Sequence, residues 1–164
     1  MEPLDSPTND GAGGGPVPLL VVDGANVVGS VPDGWWRDRH GAAQRLRDAL
    51  VPVARDGLPG VPGPLTVVLV VEGAARSVEP VPGVRVVAAS GSGDDRIVRV
   101  VAEESGPGRR CLVVTADREL RARVTALGAE PLGPRTVRPG TVQPGTVQPG
   151  GGPDGGSGRS GRGG

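Results

Sequence analysis

The sequence predicts an α/β fold: a three-layer sandwich with a central, mostly parallel sheet between two layers of helices. Short runs of valine and leucine recur along the chain without polar alternation, which is typical of strands buried on both faces of a parallel sheet. Between these runs, longer segments place apolar residues three and four positions apart, as amphipathic helices do. Strands that alternate with helices favour a doubly wound sandwich with right-handed crossovers.

Five runs are predicted to be strands. Four of them cover residues 18–22, 65–71, 84–89 and 111–115, and a weaker run lies near residues 129–132. Phenylalanine and tyrosine are absent and the chain has two tryptophans. Aliphatic side chains are therefore expected to fill the core.

Three helices are predicted from their apolar spacing. The first carries Ala43, Leu46, Leu50, Val53 and Ala54. The second carries Ile97, Val98, Val100 and Val101, and the third carries Leu120, Val124 and Leu127. This spacing places the apolar side chains of each helix on one face, which is expected to pack against the sheet.

The two ends of the chain are predicted to be disordered, which leaves one domain over residues 17–135. Residues 1–16 end in a glycine-rich stretch without apolar periodicity. From residue 136 a pentapeptide repeats three times, once as Thr-Val-Arg-Pro-Gly and twice as Thr-Val-Gln-Pro-Gly, and a Gly/Ser/Arg segment follows. Because regularly spaced prolines remove backbone donors and favour extended chain, residues 136–164 are interpreted as a solvated tail.

Composition excludes several classes of protein. No apolar run approaches the roughly 20 residues that span a bilayer, and no secretory signal is expected. The single cysteine, Cys111, has no partner for an internal disulfide and cannot form a cysteine-based zinc site, so a cytoplasmic location is expected. The absence of lysine excludes the lysine-dependent phosphate-binding loop and Schiff-base chemistry. Eighteen arginines balance 18 acidic residues, so no overall basic field indicates nucleic acid.

Acidic residues follow four of the predicted strands. They are Asp23, Glu72, Asp94, Asp95 and Asp117. Because the carboxyl ends of parallel strands lie on one edge of a sheet, these carboxylates are expected to meet there. Crowded carboxylates raise one another's pKa unless a cation neutralises them, and hard oxygen ligands suit Mg²⁺ or Mn²⁺. Such a site favours hydrolysis of a phosphodiester bond, with the ion activating the attacking water.

Each of these acids also has a structural interpretation. Asp94, Asp95 or Asp117 can cap the helix that follows, and Ser92 has the spacing of a capping box with Asp95. The segment 23–26, Asp-Gly-Ala-Asn, can be a turn. Four separate regions that send carboxylates to one edge nevertheless favour the functional interpretation.

Two other acid-rich folds fit the sequence less well. A phosphatase with an aspartyl nucleophile needs Asp-x-Asp after its first strand, and this chain has Ala25 at the second position. A dinucleotide-binding fold needs Gly-x-Gly-x-x-Gly, and Arg96 stands where the third glycine belongs.

Three segments, in this order, resemble the NYN-domain branch of the PIN-like nuclease superfamily. They are Val22-Asp23-Gly24-Ala25-Asn26-Val27-Val28-Gly29, then Gly93-Asp94-Asp95-Arg96-Ile97, then Val114-Thr115-Ala116-Asp117-Arg118-Glu119-Leu120, with Gly128-Ala129 closing the pattern. The resemblance spans residues 18–134. It implies a PIN-like three-layer fold and a metal-dependent endoribonuclease whose partner is RNA.

The resemblance also implies roles for individual residues. Carried over by position, Asp23, Asp117 and one of the neighbours Asp94 and Asp95 hold Mg²⁺ or Mn²⁺, and which neighbour is the ligand stays open. Asn26 orients a water or a phosphate in this scheme. Glu72 stands where relatives often carry an acid or a small polar residue, so it is included as a further metal ligand.

Tryptophan and arginine are candidates for binding RNA. Trp35 can stack on a base, whereas Trp36 is expected to staple the following helix to the core. Candidate phosphate contacts beside the acids are Arg37, Arg39, Arg96 and Arg118, each of which can equally form a surface ion pair.

The sequence therefore predicts a Mg²⁺- or Mn²⁺-dependent endoribonuclease, and two alternatives stay open. A nucleoside-triphosphate pyrophosphohydrolase with the same acidic edge would release pyrophosphate from free nucleotides and leave RNA intact. A non-catalytic RNA-binding or adaptor module would bind RNA without turnover. The oligomeric state stays open as well.

Overall fold

The described residues are 16–30 and 34–137 of a computed structural model, in which strands alternate with helices as predicted. In chain order the strands are β1 (Leu19–Asp23), β2 (Gly57–Leu58), β3 (Val61–Pro62), β4 (Thr66–Val71), β5 (Val84–Ala88), β6 (Cys111–Val114) and β7 (Glu130–Leu132). The helices are α1 (Gly24–Gly29), α2 (Arg39–Asp56), α3 (Gly93–Glu104) and α4 (Arg118–Ala126). Short 3-10 turns cover Trp35–Arg37, Gly73–Ser77 and Pro134–Thr136.

The central sheet has the strand order β5-β4-β1-β6-β7, and every neighbouring pair is parallel. The small strands β2 and β3 pair with each other outside it. From β1 the chain steps outward to β4 and β5, and it then crosses back to place β6 and β7 on the opposite side of β1. The strand order therefore reverses between β1 and β6, and such a reversal opens a crevice at the carboxyl ends of the two strands.

Two apolar cores, one on each face of the sheet, bury the whole of β1. Because side chains alternate along a strand, Leu20 and Val22 belong to the core that contains the buried face of α2. Leu19 and Val21 belong to the core that contains the buried faces of α3 and α4. A strand covered on both faces needs a continuous apolar run, and β1 has one up to its last residue, Asp23. The predicted three-layer α/β architecture is confirmed.

One structural alternative and one prediction do not agree with the structure. Residues 23–26 do not form an isolated turn, because they open the six-residue helix α1, whose N-cap is the carboxylate of Asp23. Leu127 does not join the apolar stripe of the third helix. It follows the end of α4 and is 42% exposed, since the chain turns away at Gly128 with a φ of 92°.

The packed region continues past the predicted boundary at residue 135. The turn Pro134–Thr136 returns Val137 to the core that includes α2, where it is 3% exposed. The apolar side chain in the first pentapeptide copy is thus a core residue. The predictions made for residues 1–15 and 138–164 lie outside the described residues.

Cys111 is a buried residue of β6, and burial raises the pKa of its thiol to about 11. A thiol in this state packs as a small apolar side chain. No helix in residues 16–30 and 34–137 combines the length and hydropathy needed to cross a membrane.

Candidate active site

Asp23 lies at the reversal point of the sheet, as the last residue of β1. Its side chain is 5% exposed, and both carboxylate oxygens accept hydrogen bonds. The Thr115 hydroxyl donates to Oδ2 at 2.9 Å, and the backbone N–H of Asn26 donates to Oδ1 at 3.3 Å. These contacts fix the orientation of the carboxylate at the point where the strand order reverses.

Burial raises the pKa of Asp23 from 3.8 to about 6. The hydrogen bonds from Thr115 and Asn26 favour the ionised form and oppose this shift, whereas the nearby charges of Asp94 and Glu72 add to it. A carboxylate with a strongly shifted pKa in a crevice is a candidate functional group, because active sites commonly tune the pKa values of their acids in this way.

Thr115 connects the carboxyl ends of β1 and β6. Its hydroxyl donates to Asp23 and accepts from the backbone N–H of Asp117 at 3.1 Å. Asp117 in turn caps α4, because its Oδ1 accepts from the N–H of Leu120 at 3.1 Å. One oxygen of Asp117 therefore has a structural role, as the capping interpretation predicts, within the same network that holds Asp23.

Asn26 links α1 to the segment that follows β6. Its side-chain Oδ1 accepts from the backbone N–H of Ala116 at 2.8 Å. This bond helps to hold together the two chain segments that carry Asp23 and Asp117. The structure thus gives Asn26 a positioning contact that the sequence did not predict.

The structure distinguishes Asp94 from Asp95. Neither caps α3, because the Ser92 hydroxyl accepts from the backbone N–H groups of both residues, at 3.1 and 3.4 Å. Asp94 is half-buried, and its pKa is raised by burial and then by the charge of Asp117. Asp95 is exposed and forms an ion pair with Arg123 at 3.1 Å. Of the two, Asp94 therefore belongs with Asp23 and Asp117.

Glu72 reaches the same edge from β4. Its carboxylate lies against Gly93 at the start of α3, where a Cβ on residue 93 would be only 2.5 Å from Oε2. Glycine at this position leaves room for the carboxylate. The Glu72 charge acts on Asp23, and Glu72 also lines a cleft on the β4 side of the carboxylates.

A cleft of about 230 Å³ adjoins the carboxylates on the side of β4. Gly24, Val71 and Ala75 contribute to its apolar lining, and Trp35, Arg39 and Glu72 border it as well. The Arg39 guanidinium lies over the Trp35 ring, 5.5 Å from its centroid.

The two tryptophans lie in different environments. Trp35 is half-buried and lies beside Gly29 of α1, whereas Trp36 is 55% exposed. The prediction that Trp36 staples the helix to the core is wrong. The 3-10 turn that follows Gly34, whose φ is 81°, directs the first ring inward and the second outward.

The candidate phosphate contacts are spread over three parts of the edge. Arg37 lies over the exposed Trp36 ring, 5.8 Å from its centroid, and Arg39 borders the cleft. Arg96 lines a shallow polar depression at the start of α3 together with Arg99. Arg118 is exposed at the start of α4. The contacts do not form one basic patch.

The donors at this edge suit a divalent ion that is held by only one or two carboxylates. In the described part of the chain, no three His, Cys, Asp or Glu side chains lie close enough to form a metal-binding group. The charge of Asp94 nevertheless acts on Asp23, and the charge of Asp117 acts on Asp94. Mg²⁺ is commonly held by one or two carboxylates, with waters and substrate phosphates as the other ligands, so this donor set fits such an ion.

Sequence reasoning missed two residues that organise the site. Thr115 was part of the Thr-Ala-Asp motif, but its hydroxyl was not recognised as the bridge between Asp23 and Asp117. Arg123 lies one turn from the end of α4, and only the packing of α4 beside α3 shows that it pairs with Asp95. The motif position of Thr115 was an available signal, whereas Arg123 had none.

Two crystal structures of Rae1 (YacP) from Bacillus subtilis share this fold. One matches with a TM-score of 0.60 and 17% identity, over 72% of this chain and 70% of that one. The other, of a point mutant, matches with a TM-score of 0.56 and 19% identity, over 74% and 72%. At these identities the likeness is one of fold, and it supports the predicted three-layer α/β architecture. No family model and no curated protein matches the chain.

Proposed function

We propose that this protein is a metal-dependent endoribonuclease of the NYN branch, acting at the carboxyl ends of β1 and β6. The observation that carries the proposal is Asp23, which is buried at the reversal of strand order with a pKa raised to about 6. A buried carboxylate under the influence of two further acids is a costly arrangement, and such costs are typical of functional sites.

The proposed ion site draws on the carboxylates of Asp23, Asp94 and Asp117. One or two of them would hold the ion directly, and waters and the substrate phosphate would complete its ligand shell. A bound Mg²⁺ or Mn²⁺ would activate a water and offset the charge that develops on the phosphate. Thr115 fixes the Asp23 carboxylate, and Asn26 holds the backbone next to Asp117. Because Asp23 takes up a proton near pH 6, protons compete with the ion for this carboxylate in mildly acidic solution.

The test compares two adjacent aspartates. A labelled RNA of mixed sequence is incubated with Mn²⁺, with Mg²⁺ or with a chelator, using wild type, Asp94→Asn and Asp95→Asn. We expect wild type and Asp95→Asn to cut the RNA only when Mn²⁺ or Mg²⁺ is present. Asp94→Asn should cut it at a rate roughly a hundredfold lower. Asp95→Asn is a matched control because it changes the neighbouring residue, which pairs with Arg123 outside the proposed set.

Two results would replace the proposal. Intact RNA together with pyrophosphate release from nucleoside triphosphates would identify a nucleotide pyrophosphohydrolase on the same edge. Intact RNA without pyrophosphate, combined with RNA binding that survives Asp94→Asn, would identify a non-catalytic binding module.

A further inference from the structure

The cleft beside the carboxylates has the size of a site for one heterocyclic ring system. Its volume of about 230 Å³ lies below the roughly 300–1,000 Å³ typical of sites for drug-sized ligands. Val71 and Ala75 contribute small apolar walls, and Gly24, the residue after Asp23, lines the cleft as well. A flat, mostly apolar ligand with polar edges suits such a space.

Trp35 and Arg39 supply flat surfaces against which a base can stack. The Trp35 ring lies beside Gly29 of α1, and the guanidinium of Arg39 lies over the ring, 5.5 Å from its centroid. Nucleobases released from a helix stack on aromatic rings and on guanidinium planes. Because both groups border the cleft already, little ordering is needed when a base enters.

We propose that this cleft binds a guanine base of the RNA, next to the phosphate that is cut. The inference rests on the proposed function and adds the base that the site prefers. Two charged residues line the cleft: Glu72, whose carboxylate is a hydrogen-bond acceptor, and Arg39, whose guanidinium is a donor.

Guanine matches this pair of side chains better than the other bases do. It presents two adjacent donors, N1–H and the N2 amino group, which a carboxylate accepts together. On the neighbouring edge it presents the acceptors O6 and N7, which arginine commonly contacts with two hydrogen bonds. Adenine and cytosine place a ring acceptor beside their amino group, and uracil has a single N–H donor. With any of these three bases, one carboxylate oxygen either lacks a hydrogen-bond donor or faces another acceptor.

The cleft is continuous with the proposed catalytic edge. Gly24, which lines the cleft, directly follows Asp23 in the chain. The charge of Glu72 also acts on the Asp23 carboxylate. A base in the cleft would therefore belong to a nucleotide whose phosphate lies near Asp23.

The first test measures binding without catalysis. Trp36→Phe leaves Trp35 as the single tryptophan, so quenching of its fluorescence reports on the cleft. Guanosine, adenosine, cytidine and uridine monophosphates are titrated in the presence of a chelator. We expect guanosine monophosphate to bind about tenfold more tightly than the others.

Glu72→Gln keeps the size of the side chain and removes one acceptor, so it should abolish this preference. Glu103→Gln is the matched control, because Glu103 is exposed near the far end of α3. Equal binding of all four nucleotides, or an unchanged preference in Glu72→Gln, would overturn the proposal.

The second test maps cut positions in the mixed-sequence RNA. We expect cuts to concentrate beside guanine in wild type and in Glu103→Gln, and to lose this bias in Glu72→Gln. A uniform loss of cutting in Glu72→Gln, with guanosine monophosphate binding unchanged, would make Glu72 a metal ligand and reject the guanine site. Cutting without base preference would reject the guanine site alone, whereas selective nucleotide binding without RNA cutting would reject the nuclease alone.

Discussion

Asp23 is placed in an environment that favours its protonated form. Burial raises its pKa from 3.8 to about 6, and the charges of Asp94 and Glu72 contribute in the same direction. The folded protein therefore binds a proton at this group more tightly than the unfolded chain does. Between about pH 4 and pH 6, this group makes the free energy of unfolding fall as the pH rises, and the loss persists above pH 6.

The first prediction follows from this linkage. Asp23→Asn replaces the ionisable carboxyl with a neutral amide. The variant therefore avoids the loss of unfolding free energy, on the order of 3 kcal/mol at neutral pH, that ionisation of buried Asp23 causes in wild type. Relative to wild type, its free energy of unfolding should rise by about that amount between pH 3.5 and pH 7.5. Urea unfolding at several pH values measures this difference. The other ionisable groups are present in both proteins, so their contributions cancel when the two free energies are subtracted.

Asp48→Asn serves as the control, because Asp48 is an exposed aspartate that pairs with Arg47. A difference between Asp23→Asn and wild type that stays constant over this pH range would contradict the shifted pKa of Asp23.

At the level of single residues, the sequence predicts which acids lie at one edge of the sheet. It leaves open which of their oxygen atoms cap helices, form ion pairs or remain available to a ligand. Strand ends can be recognised from apolar runs, so Asp23 and Asp117 were assigned to one edge. The choice between Asp94 and Asp95 depends on where α3 begins and on an arginine 28 positions further along, in α4. The bridging hydroxyl of Thr115 likewise depends on the spacing of β1 and β6, which no local pattern contains.

At the scale of elements, α1 is held close to β4 by Gly24. A Cβ on this residue would lie 2.6 Å from the backbone carbonyl oxygen of Val70. Backbone cannot rotate away as a side chain can, so only glycine lets the chain turn from β1 into α1 at this distance. The glycine of the Asp-Gly-x-Asn segment thus has a packing role, and α1 carries Asn26 to its contact with Ala116.

The second prediction is that Gly24→Ala separates α1 from β4. Overpacking of this kind costs about 1–3 kcal/mol of unfolding free energy. Because Asn26 moves with α1, the rate of RNA cutting should fall as well. Gly91→Ala is the matched control, since no atom lies within 4 Å of the added methyl group. Chemical unfolding of the two variants checks the prediction, and equal stabilities would contradict the close contact.

The sequence predicts long elements better than short ones. The apolar runs of the five sheet strands and the stripes of α2, α3 and α4 are strong enough to place each element. The six residues of α1 and the two-residue strands β2 and β3 contain too little periodicity to be recognised. The environments of Trp35 and Trp36 depend on a 3-10 turn after Gly34, and hydrophobicity alone does not distinguish two adjacent tryptophans.

At the scale of the whole molecule, strand order concentrates negative charge that composition conceals. The chain has equal numbers of arginine and acidic residues. At the carboxyl ends of β1, β4 and β6, however, the charges of Asp94 and Glu72 act on Asp23, and the charge of Asp117 acts on Asp94. The arginines at this edge are distributed over three separate places. Folding therefore works against repulsion at one edge of the sheet, and a cation bound there would relieve it.

The third prediction concerns the response of the whole fold to this ion. Without metal, Asp94→Asn should unfold at a higher temperature than wild type, because it removes a half-buried charge beside Asp117. With Mn²⁺ at a hundred times its Kd, wild type should gain about 2.7 kcal/mol, which corresponds to a rise in Tm on the order of 10 °C. Asp94→Asn should gain far less unfolding free energy from Mn²⁺, so wild type should then have the higher Tm of the two proteins.

Thermal unfolding with Mn²⁺, with a chelator and with NaCl at matched ionic strength measures this reversal. Asp95→Asn should follow wild type, because its partner is Arg123 and it lies outside the proposed set. Equal gains in wild type and Asp94→Asn would mean that the ion acts by general screening of the surface, because the proposed site depends on the Asp94 carboxylate, whose charge acts on Asp23. A reversal confined to Asp94→Asn would instead identify the acidic edge as the place where metal binding and folding are coupled.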